Sequence, residues 1–149
     1  MRRMNKVGSR RKGFTLLEVL LVIGIIALLA AFVVPALVGV QQGAEIDITT
    51  RMVEQGGTLD NMINLYRMQT GQYPTELKDL VEKPDDEAVA ARWRGPYIQD
   101  ASKLKDAWHR DLKYKAPGEV NQESYDLWST GPDGEDGTDD DITNWAKEE

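Results

Sequence analysis

The sequence predicts an α+β protein. A long N-terminal helix, hydrophobic and then amphipathic, packs on a small antiparallel sheet that ends in an acid-rich loop. Three observations predict it. Residues Val19–Val40 form 22 consecutive positions without a charge. Apolar residues then recur at Ile48, Met52, Leu59, Ile63 and Tyr66, in steps of four, seven, four and three, the period of a one-sided helix. Farther on, two stretches alternate apolar and polar residues across a turn-rich segment, which is the pattern of a hairpin.

As a helix, the uncharged run reaches roughly 33 Å at about 1.5 Å per residue, enough to cross a hydrocarbon core of about 30 Å. A cleaved secretory signal has a shorter apolar stretch, about 7–15 residues, ending in a small-residue cleavage site. Here the run is longer and holds Pro35. A buried core helix of this length does not suit so small a chain, whereas a signal anchor does. Ahead of it stand Arg2, Arg3, Lys6, Arg10, Arg11 and Lys12 with no acidic residue. An excess of Lys and Arg marks the cytoplasmic side, which leaves residues 41–149 outside.

The whole chain of 149 residues carries 18 basic and 25 acidic residues, a net −7. From Phe14 onward the balance is 12 against 25, or −13. Such an acidic body argues against a nucleic-acid partner. There is no cysteine for a disulfide. The single histidine, His109, argues against a His/Cys zinc site or a Ser-His-Asp site.

One carboxylate, Glu18, stands at the mouth of the apolar run. An ionisable group there costs up to about 2.5–3.5 kcal/mol at a helix centre and less near an end. A plain anchor has no use for it. A cut between Gly13 and Phe14 would create an α-amino group four residues before Glu18, on the same helical face. The same amine on a neighbouring subunit would pair with Glu18 and set the register of packed helices. On this reading Glu18 has no partner until subunits dock.

Lys12-Gly13-Phe14-Thr15-Leu16-Leu17-Glu18, followed by the apolar run, resembles the class III signal of type IV pilins and pseudopilins. The resemblance implies that a prepilin peptidase cuts after Gly13 on the cytoplasmic face and that the new N-terminal Phe14 is methylated. Glu18, fifth in the mature chain, would then serve assembly. It also implies three segments. Residues 1–13 are a cleaved leader, 14–40 a transmembrane and filament-core helix, and 41–149 a periplasmic domain.

The amphipathic helix is expected to run on to Thr70 and stop at Gly71, with Pro74 just beyond. From Phe14 it would be about 85 Å long, with Pro35, Gly39 and Gly56-Gly57 as weak points. Residues 71–75 read as a turn, Glu76–Glu82 as a short helix and Lys83–Glu87 as charged surface. Arg92–Ile98 mixes basic and aromatic residues, but Trp93 and Tyr97 suit packing better than base stacking in an acidic body. The hairpin strands are expected at Asp111–Ala116 and Ser124–Ser129. Trp93, Trp108, Trp128 and Trp145 are expected to enlarge a small core. His109, without an acid–base partner, reads as a surface or turn residue.

From Asp133 to Asp141, six of nine residues are acidic. A solvated acidic tail is one reading. The other is a calcium loop: calcium takes six to eight hard oxygen ligands, and apolar Ile142 and Trp145 would tie down the far end. The spacing is not that of an EF-hand.

Asp106-Ala107-Trp108, Tyr114, Pro117-Gly118-Glu119, Tyr125-Asp126-Leu127, Gly131-Pro132-Asp133-Gly134 and Asp140-Asp141-Ile142-Thr143-Asn144-Trp145 together resemble the major pseudopilin family of type II secretion. The resemblance implies a pilin-like fold with a C-terminal calcium-binding loop. Its ligands would be the Thr130 carbonyl, the Asp133 carboxylate, the Glu135 carbonyl, a Thr138 oxygen, and the carboxylates of Asp140 and Asp141. It implies a structural subunit, not an enzyme. The subunit would sit in the bacterial inner membrane by a single pass and assemble with copies of itself into a helical filament that drives export of folded proteins. The implied partners are minor pseudopilins, the prepilin peptidase and an inner-membrane assembly platform. The family usually has Asp-Pro-Trp-Gly where this chain has Asp106-Ala107-Trp108-His109, without the proline and glycine of that turn. Asp136 and Asp139 exceed the ligand set and would face solvent or compete as ligands. The alternatives are a type IV pilin of a surface fibre, or a membrane-anchored enzyme or calcium-dependent binding module that keeps residues 1–13. For an enzyme no nucleophile–base pair stands out.

Overall fold

The computed structural model describes residues 13–146. The chain divides into two compact units, Met1–Gly39 and Val40–Glu149. Helix α1 spans Leu16–Val53 and includes Pro35. In the first unit the described side chains from Phe14 to Pro35 are all exposed, so this greasy surface has no cover among the described residues. Its helix is long and apolar enough to cross a membrane.

The second unit holds the end of α1, then α2 (Thr58–Thr70), α3 (Glu87–Ala90) and three short strands, β1 (Lys113–Lys115), β2 (Asp126–Ser129) and β3 (Ile142–Thr143). The sheet is antiparallel in the order β1-β2-β3. Tyr114 faces Leu127 in the first pair, and Ser129 faces Ile142 in the second. Val53, Leu59, Ile63 and Tyr66 from the helices meet Leu127 of β2 and Leu112 and Tyr125, which stand just before β1 and β2, in one core, joined by Leu77, Leu80, Val89 and Ile98.

The helix expected to run on to Thr70 is interrupted between Val53 and Thr58, at the Gly56-Gly57 weak point. Gly56 takes a φ of 80°, open to glycine at little cost. A Cβ on Gly57 would lie 2.6 Å from the Arg51 carbonyl and 2.7 Å from that of Glu54. Polar side chains satisfy the broken backbone. Gly56 N donates to Asp60 Oδ2 at 2.9 Å, and Asn61 Nδ2 donates to the carbonyls of Gly56 and Gly57 at 3.0 and 2.8 Å. The break also resets the buried face. Ile48 is exposed, and Thr49 and Val53 are buried in its place. Gly71 ends α2 as expected, in the left-handed conformation with φ 89°.

Three further expectations change. The short helix at Glu76–Glu82 is a single 3₁₀ turn, Leu77–Leu80, with a reciprocal cap between Glu76 and Asp79. Pro84 follows too soon for a longer helix. The four tryptophans do not fill the core: each is half-buried. An indole N–H needs an acceptor, and Trp93 Nε1 finds the Asp79 carbonyl at 2.8 Å near the rim. The hairpin strands are shorter than expected, and β3 was not foreseen, because two residues carry too little alternation to read.

Candidate functional site

Two places carry the residues that the sequence singles out: the start of α1 and the loop between β2 and β3. At the start of α1, Glu18 N donates to Thr15 Oγ1 at 3.2 Å, and Thr15 N faces Glu18 Oε2 at 3.4 Å. Thr15 and Glu18 thus form a capping box, each side chain serving the other's backbone N–H. The expectation that Glu18 stands unpartnered in the single chain is therefore corrected. Its carboxylate already serves the Thr15 N–H, and a docking amine would have to compete with it. Gly13 and Phe14 lie just outside the helix and are exposed, with nothing within 4 Å of a Cβ placed on Gly13. The leader residues 1–12 lie outside the described residues.

The loop begins where β2 ends and finishes where β3 begins, so hydrogen-bonded strands hold both its ends. That rules out a free acidic tail. Beyond β3, the Trp145 ring packs on Trp128 with centroids 5.9 Å apart. Asn144 is buried and works as a further rung. Its backbone N donates to the Leu127 carbonyl at 3.0 Å, its Oδ1 accepts from Leu127 N at 3.0 Å, and its Nδ2 donates to the Tyr125 carbonyl at 3.1 Å.

Within the loop, Asp140 Oδ2 accepts from Asp133 N at 3.0 Å, and Asp140 Oδ1 accepts from Thr138 Oγ1. These bonds, that of Thr138 foremost, hold the Asp140 carboxyl below the usual carboxylate range. Thr138 Oγ1 also lies 3.3 Å from the Glu135 carbonyl. Asp141 Oδ2 accepts from Gly137 N at 2.8 Å, while its Oδ1 is buried with no hydrogen-bond partner among the described residues. Thr138, the Glu135 carbonyl and Asp140 are thus brought together. The Asp133 carboxylate turns back to Glu135 N at 2.8 Å, and the Thr130 carbonyl accepts from Gly134 N at 3.1 Å. Among the described residues no three Asp, Glu or His side chains gather into a metal cluster of their own. The loop still suits a hard cation. Its donors are hard oxygens, and Asp141 Oδ1 is a buried carboxylate oxygen that no described residue satisfies. Asp136 is engaged elsewhere, accepting from Trp128 Nε1 at 2.6 Å.

The floor of the loop contains a group the sequence did not reveal. Asp106 is buried, accepting from Trp108 N at 3.0 Å, Arg110 N at 2.8 Å and Ser129 Oγ at 2.8 Å. Arg110 Nε stands 3.3 Å from Asp106 Oδ2, and Nη2 donates to the Gly131 carbonyl. Between them His109, exposed as expected, takes a φ of 66°, the conformation glycine would adopt freely. An Asp with an Arg four positions on was the available signal.

A long apolar helix leading into a small antiparallel sheet, with an acid-rich loop strapped between its last strands, defines the pilin-like class. Comparison with known proteins narrows it. Residues 8–34 match the prokaryotic N-terminal methylation motif, and residues 36–145 match the family model of type II secretion system protein G. A type II secretion system core protein G of Escherichia coli K12 is 41% identical over 142 residues, covering 93% of each chain. One from Aeromonas hydrophila is 38% identical over 140 residues, 91% of this chain and 93% of the relative. The crystal structure of the major pseudopilin from the type 2 secretion system of enterohaemorrhagic E. coli superposes with a TM-score of 0.58 at 31% identity, over 76% of this chain and 96% of that one. The chain belongs to the type II secretion system protein G family.

Proposed function

We infer that the protein is the structural subunit of a pseudopilus, the periplasmic filament of a type II secretion system. The observation that carries this reading is the exposed apolar stretch of α1, most of which lies inside the methylation motif matched at residues 8–34. In the proposed sequence, the positive leader holds the N-terminus in the cytoplasm and the helix holds the subunit in the inner membrane. The prepilin peptidase cuts between Gly13 and Phe14, and the Phe14 amine is methylated. The assembly platform then draws subunits into a helical filament, tipped by minor pseudopilins, that drives folded proteins across the outer membrane. In the filament the apolar faces pack against neighbouring copies, which keeps them out of water once the helices leave the bilayer. Glu18 exchanges its long bond to Thr15 N for the amine of a neighbour. The protein does no chemistry.

Calcium is the proposed staple of the head, in a chain without cysteines. The Thr130 and Glu135 carbonyls, Thr138, and the carboxylates of Asp133, Asp140 and Asp141 would hold it. When bound, the ion would neutralise the crowded carboxylates and satisfy Asp141 Oδ1.

The test of function uses cells that lack their own major pseudopilin. Wild-type chain should restore export and a sedimentable filament. Glu18→Ala should reach the membrane with a folded head yet give neither. A Glu18→Ala chain that assembles and exports normally would contradict the reading, and long surface fibres without export would favour a type IV pilin. The calcium reading is tested on the full chain in detergent. Saturating calcium should raise the melting temperature over chelator, since a hundredfold excess over the dissociation constant adds about 2.7 kcal/mol of stability. Asp140→Ala should abolish the rise. A wild-type chain that melts alike with calcium and chelator would count against the ion.

A further inference from the structure

We propose that Arg110 is the positioning residue of the acidic loop, a clamp that keeps its base closed when no metal is bound. The proposal rests on the calcium reading only for the loop's metal-bound state. The guanidinium bridges two separate parts of the head. On one side it stands 3.3 Å from the buried Asp106 carboxylate, which Ser129 Oγ anchors to β2 at 2.8 Å. On the other side Nη2 grips the carbonyl of Gly131, the first turn residue of the loop. The Trp108 ring lies under it, 5.1 Å from its centre.

The gripped residue is a constrained one. Gly131 has a φ of 57°, and a Cβ there would fall 2.1 Å from the Asp140 carbonyl. The two limbs of the loop are therefore in backbone contact at this point, and Arg110 holds one of them. Gly134 carries no Cβ where the guanidinium passes, since one would overlap Nη1. An acid-rich loop should splay by self-repulsion when stripped of cations. A charge-assisted bond to its base, backed by an ion pair to the buried Asp106 carboxylate, opposes that. Because Asp106 balances the charge, Arg110 acts through geometry rather than as a counter-ion. Its effect on metal binding is preorganisation: less loop ordering remains for the ion to drive.

Truncating Arg110 alone would strand a buried carboxylate, so two variants avoid that. Arg110→Lys keeps the charge beside Asp106 but has no fork to span both groups. The double variant Asp106→Asn, Arg110→Gln removes both charges. The full chain in detergent is melted in calcium and in chelator, and amide exchange is followed at Gly131, Gly134 and Gly137. Both variants should lose protection at these amides in chelator and regain it in calcium. Their melting temperatures should fall more in chelator than in calcium, and their calcium affinity should drop severalfold. Equal losses in the two conditions, or unchanged exchange in chelator, would overturn the clamp. Should wild type ignore calcium, the ion reading fails alone, and the exchange data in chelator still decide whether Arg110 holds the loop.

Discussion

Replacing Asn144 by alanine should destabilise the head by about 2–4 kcal/mol, although the side chain is neutral and lies next to the C-terminus. The magnitude follows from what the amide serves. Leu127 N donates to Asn144 Oδ1 at 3.0 Å, and the Leu127 carbonyl accepts from Asn144 N at 3.0 Å. The N–H and C=O of one strand residue face the same neighbour, so β1 cannot take over the freed N–H. Leu127 is fully buried, and water cannot reach it cheaply. A buried donor left unpaired costs about 1–3 kcal/mol. The Tyr125 carbonyl loses one donor at 3.1 Å but keeps Asn121 Nδ2 at 3.2 Å, which adds a smaller penalty. For a head of this size each kcal/mol moves the melting temperature by about 4 °C, so the drop should be about 8–16 °C. Near-UV circular dichroism of the full chain in detergent is the assay, since α1 would mask the head in the far-UV. Asn144→Asp is the control. It keeps the acceptor for Leu127 N, and once protonated at low pH it regains a donor, so its loss should shrink below about pH 4. An alanine variant melting within about 2 °C of wild type would refute the view that Asn144 closes the sheet.

His109→Gly should raise head stability by up to about 1 kcal/mol, because relief of the left-handed strain outweighs the entropy glycine adds to the unfolded chain; equilibrium urea unfolding reads it, and a loss would show that the histidine side chain matters. Asp126 gives a pH dependence. Burial pushes its carboxyl up, but N–H donors from Val120, Asn121 and Glu119 together outweigh burial and hold it below the usual range. A lowered folded value means that stability is present above the unfolded pKa of about 4 and is lost as pH falls through the folded value. Asp126→Asn should therefore be less stable at pH 7 and lose less on acidification, and parallel stability–pH curves would contradict this.

The long-period features were the ones legible in the sequence. An uncharged run of 22 residues, a one-sided apolar repeat and a terminating glycine each repeat or persist long enough to outweigh local noise. The acidic loop was legible as composition, and its anchorage was legible from Ile142 and Trp145. The break before α2 was visible only as the Gly56-Gly57 pair, because the Asp60 and Asn61 bonds that stabilise it are tertiary choices. The Arg110 grip and the Asn144 rung join residues 21 and 17 positions apart, and no local pattern announces them. Glu18 was picked out by its cost in an apolar setting. Its partner, Thr15, stands three residues before it, the Thr-x-x-Glu spacing of a capping box.

The central claim is that this chain is a processed filament subunit rather than a permanently anchored domain. It is tested most directly by intact-mass measurement of the protein recovered from inner membranes of cells with an active prepilin peptidase. The account expects a species lacking residues 1–13 and carrying one methyl group on the Phe14 amine, with Gly13→Ala blocking both changes. A mature protein that keeps residues 1–13 at the membrane would contradict it and return the N-terminal helix to the role of a plain anchor.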